Sequence, residues 1–534
     1  MRRKARDGAG EVAAGMLKRI LRRGFDRVER GLDAIFASES NPLAQLGALG
    51  WFLFWIVAAS GIYLFIFFDT GVDAAYGSVK WLSEDHWFHA GLARSFHRYA
   101  SDLMLAVMIV HMAREFTRDR YRGVRWFSWF TGVPLIWFLY VSGITGYWLV
   151  WDELAQYVAI RSAEFLDWLP VFGEPIARNF LSPAHLSSRF FTLMVFMHIA
   201  VPLILLMVMW IHIQRIARAR VNPSRKLGIM VLAALLVVSL VLPANLEAAA
   251  DLSKVPGEVG LDWLFLPLYP VMDHVPAGVL WGGLALFTIA LGAMPWLPPL
   301  EKPRAAVVTL DHCNGCNRCV EDCPYSAVEL VPRTDGAPFP QQAQVDPDRC
   351  VSCGICVGAC PSSSPFRRTE ALVTGIDLPD LPLRQLREQV IEAAGGLEES
   401  PGRVLTLACE HGAARAGAGT VMLPCVAMAP PSLVDFILSR GHADGVVIAG
   451  CAERGGQHRL GVAWTKERFA GTRDPYLRAR VPRERIACIW AGPTEEAHLE
   501  REREAFRSAV AGLPADPPRA RHTAKTPEVE EARP

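Results

Sequence analysis

The chain has 534 residues, enough for three or four domains, and at 51% apolar with a mean hydropathy of +0.21 it is richer in hydrophobes than an ordinary soluble enzyme. Its net charge of +1 excludes a global field for nucleic acid, so the placement of each sign carries the information. All twelve cysteines lie after residue 312, and eight form tight runs, which excludes a disulfide framework in favour of metal binding in a reducing compartment.

Residues 1–38 are basic and amphipathic with no small-residue cleavage site, so no cleaved signal peptide is expected. Apolar runs at 43–68, 97–113, 126–151, 190–213, 227–243 and 276–297 follow. Each is about long enough to cross the ~30 Å hydrocarbon layer as a helix, although the fifth is short and closed by Pro243. Six transmembrane helices are predicted. Lys and Arg number ten in residues 1–30, five in 114–125 and five in 213–226, against one in 69–93, two in 152–188 and one in 244–276. The positive-inside rule then places the amino terminus, both basic loops and everything after Pro298 in the cytoplasm, for a multi-pass protein of the inner membrane.

The second span carries His97 and His111, the fourth His198 and His212, both pairs 14 residues apart. That interval is about 21 Å of rise and nearly four turns, so each pair lies on one helix face at two depths. Two such helices facing each other supply two stacked bis-histidine sites. One intramembrane histidine could simply bond a neighbouring helix, but four at a duplicated interval point to haem iron. Gly47 and Gly61 on the first span, and Gly132 and Gly146 on the third, repeat the interval of 14. Without a Cβ they let a flat macrocycle approach, whereas each alone reads as ordinary helix packing.

Residues 30–297 resemble the cytochrome b subunit of quinol-oxidising complexes. Arg94-Ser-Phe-His97 is similar to that family's Arg-x-x-His, and His111-Met-Ala-Arg114 to its His-x-x-Arg. The resemblance implies that Arg94 and Arg114 bind haem propionates as fork-shaped donors, with an inside-flanking charge as the alternative for Arg114. Gly146-Tyr-Trp-Leu-Val-Trp151 is similar to Gly-Tyr-x-Leu-Pro-Trp, with Val150 in place of proline. The family pairing is His97 with His198 near the outer face and His111 with His212 near the cytoplasmic face. Leu261-Asp262-Trp263-Leu264-Phe-Leu-Pro267-Leu-Tyr269 resembles the Pro-Glu-Trp-Tyr-Phe-Leu-Pro-x-Tyr segment lining the outer quinol site. Asp262 would take the place of the proton-accepting glutamate on a shorter arm, the alternative being a solvated loop aspartate. The family's last two helices are missing, and its relatives suggest a homodimer through the membrane core.

After Pro298 come Cys313-x2-Cys316-x2-Cys319-x3-Cys323-Pro and Cys350-x2-Cys353-x2-Cys356-x3-Cys360-Pro, the two-cluster bacterial ferredoxin signature. In that pattern the fourth thiolate comes from the other run. One 4Fe-4S cluster is thus assigned to Cys313, Cys316, Cys319 and Cys360, the other to Cys350, Cys353, Cys356 and Cys323. Paired structural zinc sites are the competing account.

Strands expected at 403–408, 420–423, 445–449 and 485–490, with helices between, argue a small parallel α/β domain. Cys409, Cys425 and Cys451 fall just after strands, in segments that resemble the delta subunit of methyl-viologen-reducing hydrogenase, which passes electrons to an FAD-bearing subunit. Two of that family's cysteines are replaced, at His411 or Gly412 and at Gln457. A docking domain without its own metal is therefore expected over an additional iron-sulfur cluster in 401–511 with His411 or His458 as a ligand. Cys488 is expected as a buried, inert thiol.

The expected fold is an all-α membrane bundle of six helices, with a cytoplasmic ferredoxin-like α+β module and a small α/β domain. Its bounds are 1–38 amphipathic segment, 39–226 dihaem core, 227–300 two further helices with the outer loop, 301–370 ferredoxin module, 371–400 linker, 401–511 α/β domain and 512–534 tail. The expected function is an oxidoreductase subunit in the membrane, linking quinone through two b-type haems and two 4Fe-4S clusters to a cytoplasmic flavoprotein or ferredoxin-type carrier. A self-contained quinol:ferredoxin oxidoreductase and a structural or assembly subunit are the alternatives.

Overall fold

Lipid offers no hydrogen-bond partner, so an apolar run that crosses it must satisfy every N–H and C=O within itself, as a helix does. The computed structural model describes residues 2–36, 40–118, 120–171, 176, 181, 186–214, 220–297, 303–363, 372–398, 402–453, 456–458 and 460–514. It divides into two compact units, Met1–Pro299 and Leu300–Pro534.

The described helices of the first unit are α1 (Arg2–Phe36), α2 (Leu46–Phe67), α3 (Ala75–Lys80), α4 (Leu92–Thr117), α5 (Trp126–Val150), α6 (Glu153–Asp167), α7 (Ser188–Gln214), α8 (Arg225–Val241), α9 (Tyr269–Met272) and α10 (Ala277–Ala293). All six predicted runs are helical. Four stretches, Pro42–Phe67, Trp126–Val150, Ser188–Gln214 and Ala277–Trp296, are long and apolar enough to cross a membrane. The other two differ for plain reasons. Helix α4 carries Arg94, Arg98, Asp102, Arg114 and Glu115, and α8 has only 17 residues.

Helix α2 packs along α4 and α5 along α7, which brings the two glycine-bearing helices onto the two histidine-bearing ones. Leu53, Leu105, Phe191 and Val158 are completely or almost completely buried in the core of this bundle. Trp151, in the left-handed region at φ 55°, ends α5, and the next residue, Asp152, caps α6 by accepting from the Ala155 amide at 2.9 Å. The segment after α8 folds back over the bundle, burying Phe265 and Leu266, with Phe265 pressed against Gly143 where a Cβ would stand 2.3 Å from its ring.

In the second unit β1 (Val307–Val308) pairs with β4 (Ile376–Asp377) and β2 (Val328–Pro332) with β3 (Gln341–Val345), both antiparallel. The single-turn helices α11 (Arg318–Glu321) and α12 (Ile355–Ala359) carry the third cysteine of each run, Cys319 and Cys356. Next comes α13 (Leu383–Gly395), and then β5 (Val404–Cys409), β6 (Thr420–Leu423), β7 (Gly445–Gly450) and β8 (Ile486–Trp490), a parallel sheet of order β6-β5-β7-β8. Helices α14 (Pro431–Ser439), α15 (Gly461–Ala470) and α16 (Glu496–Ala511) accompany it. Central strands β5 and β7 are buried at every position, as their unbroken apolar sequence requires.

The stretch 371–400, expected as a linker, is instead packed structure over its described residues, 372–398. Leu383, Leu386 and Val390 give α13 one fully buried face, and Asp377 accepts from the Leu383 amide at its start. Cys488, expected as buried, is exposed, because β8 is the edge of the sheet. Of the expected tail, residues from 515 onward lie outside the described residues.

Candidate metal centres

Each of the four glycines stands against one histidine of the neighbouring helix. A Cβ on Gly61 would lie 2.9 Å from His97 Cε1, on Gly146 3.0 Å from His198 Cε1, on Gly132 3.5 Å from His212 Cε1 and on Gly47 3.6 Å from His111 Cε1. The space left by the missing side chain is thus taken by the imidazole edge, which refines the expectation that it admits a macrocycle. His97 and His198 face each other with ring centroids 6.2 Å apart, and His111 and His212 are near enough to interact electrostatically.

Three of these rings are held at Nδ1 by the hydroxyl of the residue before the glycine: Ser60 to His97 at 3.1 Å, Thr145 to His198 at 3.1 Å, and Thr131 to His212 at 3.0 Å. The hydroxyl protons go to backbone carbonyls one turn back, from Ser60 to Ile56 at 2.8 Å, Thr145 to Val141 at 2.9 Å and Thr131 to Phe127 at 2.8 Å. The hydroxyl oxygen therefore accepts, and Nδ1 must donate. His97 Nδ1 also donates to the Val57 carbonyl at 3.0 Å, an atom that can only accept. Donation from Nδ1 leaves the lone pair on Nε2, the tautomer a metal ligand needs. Gly47 is preceded by Leu46, so His111 has no such hydroxyl. Sequence reasoning missed these three positions, although the repeated Ser/Thr-Gly dipeptide was there to be read.

The eight cysteines of the two runs line two cavities. One is lined by Cys313, Cys316, Cys319 and Cys360, and the other by Cys323, Cys350, Cys353 and Cys356. Tight loops aim the sulfurs inward. Gly315 and Gly354 adopt φ of 66° and 72°, and a Cβ on Gly315 would strike the Gln341 carbonyl at 2.4 Å. Backbone amides of Ala306, Ala327 and Ala343 donate to the sulfurs of Cys350, Cys323 and Cys313 at 3.3–3.5 Å. Burial, and then the neighbouring thiols Cys360, Cys316 and Cys313, push the Cys319 thiol up to about 12. Burial raises Cys353 and Cys356 as well. Four thiolates in such a space need a cationic core to hold them, which the chemistry of an iron-sulfur cube supplies.

Residues 33–219 match the family described as cytochrome b/b6/petB, residues 312–364 the 4Fe-4S dicluster domain, and residues 407–513 the delta subunit of methyl-viologen-reducing hydrogenase. The chain is a fusion of these three domains. A solved structure titled "Hyperthermophilic respiratory Complex III" is similar at 19% identity, with a TM-score of 0.39 over 47% of this chain and 74% of that one. The cytochrome b domain implies b-type haem and the dicluster domain iron-sulfur clusters, and the protein is a membrane electron-transfer protein.

Within the cytochrome b domain, Arg114 is buried and donates to Glu29 of α1 at 2.9 Å, while its Nε has no partner. That orphaned donor suits a haem carboxylate. Arg118 also binds Glu29, so α1 is tied to the end of α4 through a buried carboxylate that the sequence did not single out. Arg94 is committed elsewhere, donating to the carbonyls of Ala244 at 2.8 Å and Asn245 at 2.7 Å. Asp262 is no solvated loop residue. Its Oδ2 accepts from Arg98 at 3.0 Å and Tyr147 at 2.7 Å, and its Oδ1 from the Leu264 amide at 2.7 Å.

The dicluster and delta-subunit domains share a buried ion pair. Arg468, 1% exposed, binds Asp322, the residue before Cys323, and donates to the Ala427 carbonyl at 2.7 Å, with Arg473 also on Asp322.

Proposed function

We propose that this protein is a quinone-linked electron-transfer subunit that works with a cytoplasmic FAD-containing partner. Two b haems would be held by His97 with His198 and by His111 with His212, and two 4Fe-4S clusters by Cys313, Cys316, Cys319 and Cys360 and by Cys323, Cys350, Cys353 and Cys356. The observation that carries the reading is the union in one chain of histidines whose Nδ1 atoms are already donating, in apolar helices, with two cavities each lined by four thiols. When bound, the haems and clusters supply one-electron chemistry, while the protein sets ligation and orientation.

Ser60, Thr131 and Thr145 keep three imidazoles in the ligating tautomer, and Gly47, Gly61, Gly132 and Gly146 face the imidazole edges across the helix pairs, most closely at Gly61 and Gly146. The free Nε of Arg114 supports a propionate contact. For Arg94 the same role rests on the resemblance alone, because its terminal nitrogens already serve loop carbonyls. Asp262 is the proposed proton acceptor for quinol, its Oδ2 held in place by donors from Tyr147 and Arg98. The alternation of basic loops supports six spans, an inner-membrane location and cytoplasmic termini.

The test is a redox titration of the purified full chain in detergent, followed together by visible and EPR spectroscopy. The reading expects two low-spin b haems reduced by quinol, two 4Fe-4S clusters, and a flavoprotein recovered in pull-down. Haems that ignore quinol would refute the quinone link, and a titration without cluster signals would refute the cysteine assignment.

A further inference from the structure

Three cysteines of the delta-subunit domain belong to neither cavity. Cys409 ends β5, Cys425 lies two residues beyond β6 and Cys451 one residue beyond β7, so the parallel sheet delivers all three to its carboxy-terminal edge, where open α/β sheets place their sites. They are 1%, 4% and 6% exposed. Cys409 Sγ and Cys451 Sγ stand 3.1 Å apart, and a bond of ~2.05 Å between them needs the sulfurs to close by only about 1 Å. Cys425 packs in one apolar cluster with Cys353, Ile355, Ala427 and Trp464, and it interacts electrostatically with both Cys353 and Cys451. The sulfur pair is therefore one thiol removed from the cavity of Cys323, Cys350, Cys353 and Cys356. A four-thiolate centre would need another sulfur here. The resembled family has cysteines where this chain offers His411 or Gly412, and Gln457, and His458 Nδ1 is already paired with Tyr325 at 3.1 Å.

We propose that Cys409 and Cys451 form a redox-active dithiol that cycles with a disulfide and exchanges electrons with the neighbouring clusters. The proposal rests on the cluster assignment above for its electron acceptors. Oxidation breaks two S–H bonds and forms one S–S bond. Two protons leave to solvent, and two electrons pass singly to the two oxidised 4Fe-4S clusters, each taking one; reduction reverses every step. Such a pair stores two electrons between one-electron carriers and a two-electron partner such as a flavin. Burial keeps solution thiols away, so exchange runs through the clusters and not by attack from outside.

The full chain, purified anaerobically, is poised with dithionite or with ferricyanide, quenched in acid, alkylated with N-ethylmaleimide, digested and mapped by mass spectrometry. The expected result is a linked peptide pair carrying Cys409 and Cys451 in the oxidised sample only, with Cys425 and Cys488 alkylated in both. In a coulometric titration Cys451→Ser is expected to lower the electron count by two while the cluster EPR signals stay. Alkylation of Cys409 and Cys451 in both states would overturn the proposal, as would loss of iron in Cys451→Ser, which marks a metal site instead. If the variant fails to fold, the peptide map of the native chain decides. The peptide map reads the thiols and the EPR spectrum reads the clusters, so a Cys409–Cys451 link found without cluster signals sinks the cluster reading alone.

Discussion

Adding one methyl group at each of the four glycines separates two explanations of why they are glycine. A Cβ at Gly61 would sit 2.9 Å from His97 Cε1 and 3.4 Å from its Nδ1, and one at Gly146 3.0 Å from His198 Cε1. His97 cannot slide away freely, because its Nδ1 is anchored to the Val57 carbonyl at 3.0 Å and the Ser60 hydroxyl at 3.1 Å. Overpacking of this kind costs about 1–3 kcal/mol. Taking about 2 kcal/mol, Gly61→Ala and Gly146→Ala weaken haem retention about thirtyfold. At Gly47 and Gly132 the new Cβ would meet its histidine at 3.6 and 3.5 Å, ordinary contact, so alanine there leaves haem binding nearly unchanged. Haem per protein, measured as the pyridine haemochrome, with potentiometry to resolve which centre is lost, reads the difference. Equal loss in the Gly47 and Gly61 variants would refute the argument from the histidine contact, and would favour direct contact of all four glycines with the macrocycle.

Thr145→Val removes one of the acceptors of the His198 ring, makes the imidazole a weaker base and raises the midpoint potential of its haem, which potentiometric titration checks. Arg468→Met leaves buried Asp322 with Arg473 as its remaining guanidinium partner, and destabilises the second unit by about 1–3 kcal/mol in chemical denaturation. Removing the exposed Arg318–Asp474 pair by Arg318→Ala changes stability by less than about 1 kcal/mol. Loading the apo protein with iron and sulfide at pH 7 releases protons, because Cys319, pushed up to about 12, is a thiol before loading and a thiolate after it; a pH-stat measures the uptake of base. Asp262→Asn keeps both haems but loses reduction by quinol, seen by stopped-flow absorbance.

The local repeats of this chain were legible without coordinates. An interval of 14 on a helix returns to the same face, and a Cys-x2-Cys-x2-Cys-x3-Cys-Pro run carries its own ligand order, so spacing put each histidine pair on one helix face and the cysteines in two runs, while the pairing of histidines across helices came from the resemblance. The strands of the last domain were readable because buried parallel strands are unbroken apolar runs, and the observed β5 to β8 begin within one residue of the predicted starts. The linker failed this test because α13 has one apolar face among charged residues, a pattern that becomes visible as core only once something covers it.

What the tertiary structure decided are the pairings between residues distant in the chain. Nothing local joins Glu29 to Arg114, Asp322 to Arg468, Asp262 to Arg98 or Cys409 to Cys451. The same holds for the tautomer of the histidines, which depends on a hydroxyl of the neighbouring helix whose own proton is spent one turn back. Periodicity reports which face of an element is buried, because that is a property of the element alone. Which charge, thiol or hydroxyl meets that face is set by how the elements pack, and that is where the chemistry of the centres was determined.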